Sequence, residues 1–340
     1  MVVLRQFYPK MVRALGLSLL FCVGAEAATP AVPEEYESTG GQSLAFGGSV
    51  VSGIAGASAI RANPALLAVE KEYTVNGSYH WPTAGRDYYQ LGVVDGKTSS
   101  VAAGFTYTGA MDNYQGISSS KLQQSPSLSS GLSKDTPIQR RAGLAFALPL
   151  GKLFVGAGAS YVEARPPAES LTEEDSAKVK AFTTGFGLAG YLTPALRFGI
   201  SAENLANRKI QYAAPTFYRA GASYFFGEVA SVHLDYRRRE AVSLYEGLAP
   251  SFTMASESSA NSATGAESLL NASASVKVYD LLRLVAATGQ TRSEGHSATR
   301  IAGGLALVNR KFNFSYQALR PDLTAEALHH ALSLGLDVAM

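Results

Sequence analysis

His233 and Asp235 stand two residues apart in the run ASVHLDYRR, the separation that places two side chains on one face of a β-strand. An imidazole beside a carboxylate could serve as a general base and its orienting group. Arg237 continues the same face, and three such residues more often form a hydrogen-bonded wall, which is the preferred reading here. The other reactive residue types offer less. His329 and His330 are adjacent, so on a strand they point to opposite sides and cannot share a metal ion. Gly156-Ala157-Gly158 lies inside an alternating strand with no helix after it, which does not make a dinucleotide fingerprint. There is no Gly-x-Ser-x-Gly nucleophile elbow. No enzymatic activity and no cofactor are expected.

The elements that carry these residues read as strands with two unlike faces. Val232, Leu234 and Tyr236 oppose Ser231, His233, Asp235 and Arg237. In residues 311–320, Phe312, Phe314, Tyr316 and Ala318 oppose Asn313, Ser315 and Gln317. Such period-2 alternation recurs from residue 72 to the end and marks half-buried strands. Only 16% of the 340 residues are charged and 46% are hydrophobic, against roughly 25% charged in ordinary soluble domains. Beyond the extreme N-terminus no run reaches the ~18–20 apolar residues of a membrane helix. Low charge, alternating strands and no spanning helix point to a membrane β-barrel with apolar residues turned to lipid. A net charge of +2 and no basic run with interleaved aromatics exclude a nucleic-acid partner.

Connections support this reading, because short turns alternate with longer, more polar loops, as in bacterial barrels. The approximate strand cores are 72–80, 87–94, 98–109, 138–149, 152–164, 180–191, 196–204, 217–226, 229–238, 269–278, 282–292, 299–308, 311–320 and 329–340. That predicts an all-β fold, a transmembrane antiparallel β-barrel of about fourteen strands, an even number as expected for such barrels. Residues 242–254 are assigned to a long loop, and 293–298 to one of the longer connections. Trp81, Tyr88, Tyr89 and Tyr107 fall near strand ends, where an aromatic girdle is expected.

The chain divides into four parts. Residues 1–27 read as a secretory signal peptide: Arg5, Lys10 and Arg13 precede an apolar run, and Ala25-Glu26-Ala27 is a small-x-small cleavage site. The only cysteine, Cys22, falls inside it. Residues 28–37 form a Pro-rich lead-in, 38–71 an N-terminal hatch or plug, and 72–340 the barrel. The last strand carries a C-terminal signal of the outer-membrane type, with Gly335, Val338 and Met340 in register. The expected location is the outer membrane of a Gram-negative bacterium, with the bilayer and the barrel-assembly machinery as partners.

A barrel this wide is not filled by its own side chains, since about eight strands already leave an interior just filled. Many inferred lumen positions are small, among them Gly143, Ala145, Ala147, Gly156, Gly158, Gly185, Gly187, Ala189 and Gly199. A polar wall of Arg197, Glu203, His233, Asp235 and Arg237 accompanies them. Residues 38–68 are the natural occupant: rich in Gly, Ala and Ser, with Arg61 their only ionisable side chain. Pro64 restrains Asn63 to extended geometry, from which Asn63 can cap the apolar turn that follows.

Residues 40–67 resemble the N-terminal hatch of the FadL-type outer-membrane transporters. The resemblance rests on Gly47 and Gly48 after Ala45-Phe46, on Ala57-Ser58-Ala59, and above all on Asn63, Pro64, Ala65 and Leu66. It implies a fourteen-stranded barrel plugged by this segment. It also implies passive, hatch-gated uptake of hydrophobic small molecules such as long-chain fatty acids. The segment is also similar to that of PorV-like barrels, which implies the alternative of a partner barrel that binds an exported protein or scaffolds a surface machine. An open porin is the third reading.

Overall fold

The computed structural model describes residues 41–48, 50–54, 56–82, 87–110, 138–164, 179–206, 210, 214–241, 266–279, 281–293, 296–309, 311–323 and 328–337. The expected signal peptide, the lead-in, residues 242–254, and Val338 and Met340 of the C-terminal signal lie outside them.

Fourteen antiparallel strands close into a barrel in sequence order, with β14 hydrogen-bonded back to β1. They are β1 Tyr73–Pro82, β2 Tyr88–Asp95, β3 Ala102–Ala110, β4 Ile138–Leu150, β5 Leu153–Ala164, β6 Val179–Thr193 and β7 Leu196–Leu205. Then follow β8 Phe217–Phe226, β9 Ala230–Arg239, β10 Glu267–Val278, β11 Leu282–Ser293, β12 His296–Val308, β13 Phe312–Arg320 and β14 His329–Asp337. The alternation that predicts the strands also sets their faces. On β9, Leu234 and Tyr236 are 54% and 45% exposed, while His233, Asp235 and Arg237 between them are buried. Leu144, Phe146, Leu148, Phe186, Ile200, Leu305, Phe314 and Leu334 likewise face outward. An apolar outer wall on a closed barrel leaves no backbone group unpaired toward lipid, the condition for spanning a bilayer.

Three details depart from the sequence reading. β3 begins at Ala102 rather than near Thr98. Asp95 Oδ1 accepts from the amides of Lys97 at 3.0 Å and Thr98 at 2.9 Å, and Ser99 Oγ from that of Val101 at 2.9 Å. These local side-chain bonds hold the chain in turns where a ladder would otherwise start. β12 begins earlier than expected, at His296, and pairs there with Ser293, so the β11–β12 connection is residues 294–295. Tyr88 is buried, in phase with Gln90 and Val94 on the inner face, and does not belong to an outer girdle.

Inside the barrel lies the segment that precedes β1. It contains short helices at Gly41–Ala45 and Ala59–Ala62 and 3-10 turns at Gly56–Ser58 and Pro64–Ala68. The main apolar core forms between this segment and the wall: Val50, Ile54, Ile60, Leu66 and Leu67 pack with Val94, Ala102, Ala145, Ala147, Phe154 and Ala189. A smaller cluster joins Leu44 to Leu319 and Ala331.

Candidate functional site: the internal segment and its wall

The Gly41–Ala45 helix ends on two glycines in left-handed backbone, Gly47 at φ 75° and Gly48 at φ 77°. Gly48 N donates to Ser43 O at 2.8 Å and Gly47 N to Leu44 O at 3.0 Å. This is the Schellman pattern, which needs a residue free to take positive φ. Farther on, Asn63 is extended (φ −162°, ψ 100°), as its position before Pro64 requires. Its Oδ1 accepts from Ala65 N at 3.1 Å and caps the Pro64–Ala68 turn. Its Nδ2 donates to Val51 O at 2.9 Å and to Leu188 O of β6 at 3.1 Å. Asn63 therefore shapes the segment and ties it to the wall at once.

The small inward positions form a bed for this backbone. A Cβ at Gly156 would land on the peptide joining Pro64 to Ala65, one at Gly187 on Asn63 Oδ1, and one at Gly199 on Val51 O. Gly92 and Gly104 are blocked in the same way by Ala57 and Ile60. The missing side chains are thus the room the segment occupies, and the lumen holds it as a close packing rather than as a loose tether. Gly158 and Gly185 meet neighbouring strands instead. A cavity of about 20 Å³ remains beside Ala57, Asn76, Gln90 and Ser333, room for about one water.

Away from the apolar core, the wall satisfies the segment's main-chain groups one by one. Asp235 Oδ1 accepts from Val51 N at 2.9 Å and Gln317 Oε1 from Ala45 N at 3.1 Å. Asn271 Nδ2 donates to Phe46 O at 2.7 Å, Arg300 to Gly47 O at 3.3 Å, Ser201 Oγ to Ala62 O at 2.6 Å, and Arg197 Nε to Ser52 O. Buried backbone groups left unpaired are costly, so this inventory accounts for an irregular chain stable inside a barrel.

A charged contact also joins segment to wall. Arg61, the segment's sole ionisable residue, pairs with Glu203 of β7, which also receives Arg219 of β8 at 2.6 Å and Arg141 of β4 at 3.3 Å. A second pairing joins Arg237 and Arg239 of β9 to Glu267 of β10 at 3.1 and 3.4 Å.

The expected polar wall is therefore inward and buried, yet it does not form one network. His233 Nδ1 bonds Ser223 Oγ at 2.6 Å and Nε2 bonds Ser231 Oγ at 2.8 Å, while Asp235 serves Val51 and Arg237 serves Glu267. Residues two apart on a strand share a face, but each reaches across to a different neighbour. Gly335 lies on the inner face of β14 opposite Asn76. Pattern reading did not single out Arg219, Asn204, Ser223, Asn271, Arg300 or Gln317. All follow the inward parity of their strands except Asn204, whose neighbour Glu203 is also buried.

Neither a protein-family model nor a curated protein sequence matches the chain. Solved structures match it across nearly its whole length. The P. putida toluene transporter TodX superposes with a TM-score of 0.60 at 11% identity, covering 90% of this chain and 100% of the other. The Ralstonia pickettii toluene transporter TbuX gives 0.56 at 14%, covering 89% and 99%. A Pseudomonas aeruginosa FadL homologue gives 0.51 at 11%, covering 88% and 98%. At such identities the likeness is one of fold, and the fourteen-stranded barrel implied by residues 40–67 is the one the chain has.

Proposed function

We propose that this protein is a passive channel for hydrophobic small molecules in the outer membrane of a Gram-negative bacterium, opened by movement of its internal segment. The observation that supports it most is the segment itself: bedded on glycines, with an apolar core, inside a barrel of the fold that toluene transporters share. Among the described residues that segment packs closely against the wall, and on this reading passage requires it to shift. An apolar solute suits the route because the segment carries a single ionisable residue and its main apolar core lies against β2–β6. Long-chain fatty acids and monoaromatic hydrocarbons are the ligand classes to try first. The barrel-assembly machinery would recognise the C-terminal strand during biogenesis. No catalytic role is assigned, since both ring nitrogens of His233 are taken by serines.

A cysteine lock tests this. Ser52 Oγ of the segment and Ser223 Oγ of β8 lie 2.6 Å apart. In proteoliposomes of the processed chain carrying S52C and S223C, uptake of radiolabelled toluene or oleate should stop on oxidation and return on reduction. Uptake indifferent to the lock would overturn segment gating. Absence of uptake by the unmodified barrel, with an exported protein co-purifying instead, would favour the partner-barrel alternative.

A further inference from the structure

Glu203 and Asn204 interrupt the inside–outside alternation of β7. The β6–β7 ladder steps from Phe186↔Ala202 to Thr184↔Leu205, so Gly185 alone faces two residues. That is a β-bulge, a device that re-aims side chains. Asn204 adopts φ 59° and Ala206 the same value, backbone that non-glycine residues rarely take. The consequence is specific: both Glu203 and Asn204 are buried, 4% and 1% exposed, where a regular strand would send one of them outward. Both accept from one nitrogen, Arg141 Nη2, at 3.3 Å to Glu203 and 2.6 Å to Asn204.

The site so built concentrates positive charge. Three guanidinium groups, from Arg61, Arg141 and Arg219, converge on the single carboxylate of Glu203. Among the described residues, the cluster is also bordered by Asn204 and Thr183, which share a hydrogen bond, and by the Phe217 ring 5.1 Å from the Arg219 guanidinium. Glu267 pairs with Arg237 and Arg239, and Asp235 with Val51 N. Nε and Nη1 of Arg141 and of Arg219 are buried without a hydrogen-bond partner among the described residues. Unpaired buried donors on cations are strongly unfavourable, and guanidinium forks are shaped for planar and tetrahedral oxyanions.

We propose that this bulge-built cluster binds a small oxyanion, a carboxylate or a phosphate, held jointly by Arg61 of the internal segment and by Arg141 and Arg219 of the wall. The bound oxyanion accepts from the open donors of Arg141 and Arg219 and ties segment to barrel. It is either a free inorganic ion or the ionised head of an amphipathic ligand. Only the second source rests on the channel reading above.

Calorimetric titration of the full processed chain in neutral detergent tests the proposal, with ionic strength held by chloride. The probes are inorganic phosphate, octanoate and octanol. Saturable binding of phosphate identifies a free-ion site, and binding of octanoate but not of phosphate or octanol identifies a head-group site; either supports the proposal. Arg219→Gln should weaken that binding about tenfold or more, and Arg219→Lys should recover part of it. If Arg219→Gln does not fold, the unmodified chain still decides the matter. Failure of phosphate and octanoate to bind above the chloride background, or equal binding of octanoate and octanol, would overturn it and leave water as the partner of these donors. Toluene uptake indifferent to the cysteine lock would leave this result untouched, so the two readings fail separately.

Discussion

Gly187 of β6 lies directly beneath Asn63, so close that a Cβ on the glycine would occupy the place of the Asn63 amide oxygen. Gly156 of β5 stands in the same relation to the Pro64–Ala65 peptide. At both positions the obstacle is the segment's own backbone or a buried amide, which cannot step aside as the end of a flexible side chain could. Gly156→Val is therefore expected to force the segment off its bed while the strand ladder, made of main-chain bonds, persists. Single-channel recording in planar bilayers should show a large rise in ionic conductance. Gly77→Ala is the control, since its Cβ would meet only Leu91 Cδ2 at an ordinary 3.6 Å. Equal conductance in both variants would refute the bed.

Asn63 combines two tasks that substitution can separate. A serine there can still accept from Ala65 N and cap the turn, but it is too short to donate to both Val51 O and Leu188 O. Asn63→Ser should keep the turn and loosen the tether, whereas Asn63→Ala should lose both, the cap alone being worth about 1 kcal/mol. Hydrogen exchange of the Ala65 and Val51 regions, read by mass spectrometry, distinguishes them: protection of residues 64–68 should fall further in Asn63→Ala than in Asn63→Ser.

The barrel was largely legible in the sequence because each strand separates two environments, and period-2 alternation records that separation residue by residue. Parity carried the inward placement of Arg197, Glu203, His233, Asp235 and Arg237. What parity does not carry is the partner. Asp235 reaches Val51, 184 positions away, and Gln317 reaches Ala45, 272 positions away, through contacts that exist only once the barrel has closed around the segment. The bulge at Glu203–Asn204 was hidden for a related reason: it consists of a break in the pattern, and one break in AENLAN is indistinguishable from a strand end. Turn chemistry was the third blind spot, since the Asp95 bonds that delay β3 oppose a residue pattern already compatible with a strand.

Asp235 accepts from the amide of Val51, a residue with no exposed surface. Asp235→Ala leaves that amide buried and unpaired, at a cost of about 1–3 kcal/mol. The loss falls on the segment rather than on the ladder, since Asp235 still pairs by its backbone with Gly221 and Asn271. The expected outcome is faster proteolytic cleavage near residues 50–54 with an unchanged unfolding temperature of the barrel. A lowered barrel temperature with unchanged cleavage would show that Asp235 serves the wall instead.

Glu203 provides the sharpest contrast, because it is the acidic partner of three arginines at once. Removing one member of a buried ion pair costs about 3–5 kcal/mol, since the partner charge is left uncompensated. Glu203→Gln preserves the volume and leaves Arg61, Arg141 and Arg219 facing one another. The segment, whose single charge is Arg61, should then be repelled from this part of the wall. Retention of the segment, followed by its protection from protease, should become dependent on added phosphate in Glu203→Gln and much less so in the unmodified chain. The paired change Glu203→Gln with Arg61→Gln should restore part of the protection without phosphate, because it removes one of the three opposed cations. If the double variant behaves no better than the single one, the destabilisation comes from lost packing at the bulge and not from charge.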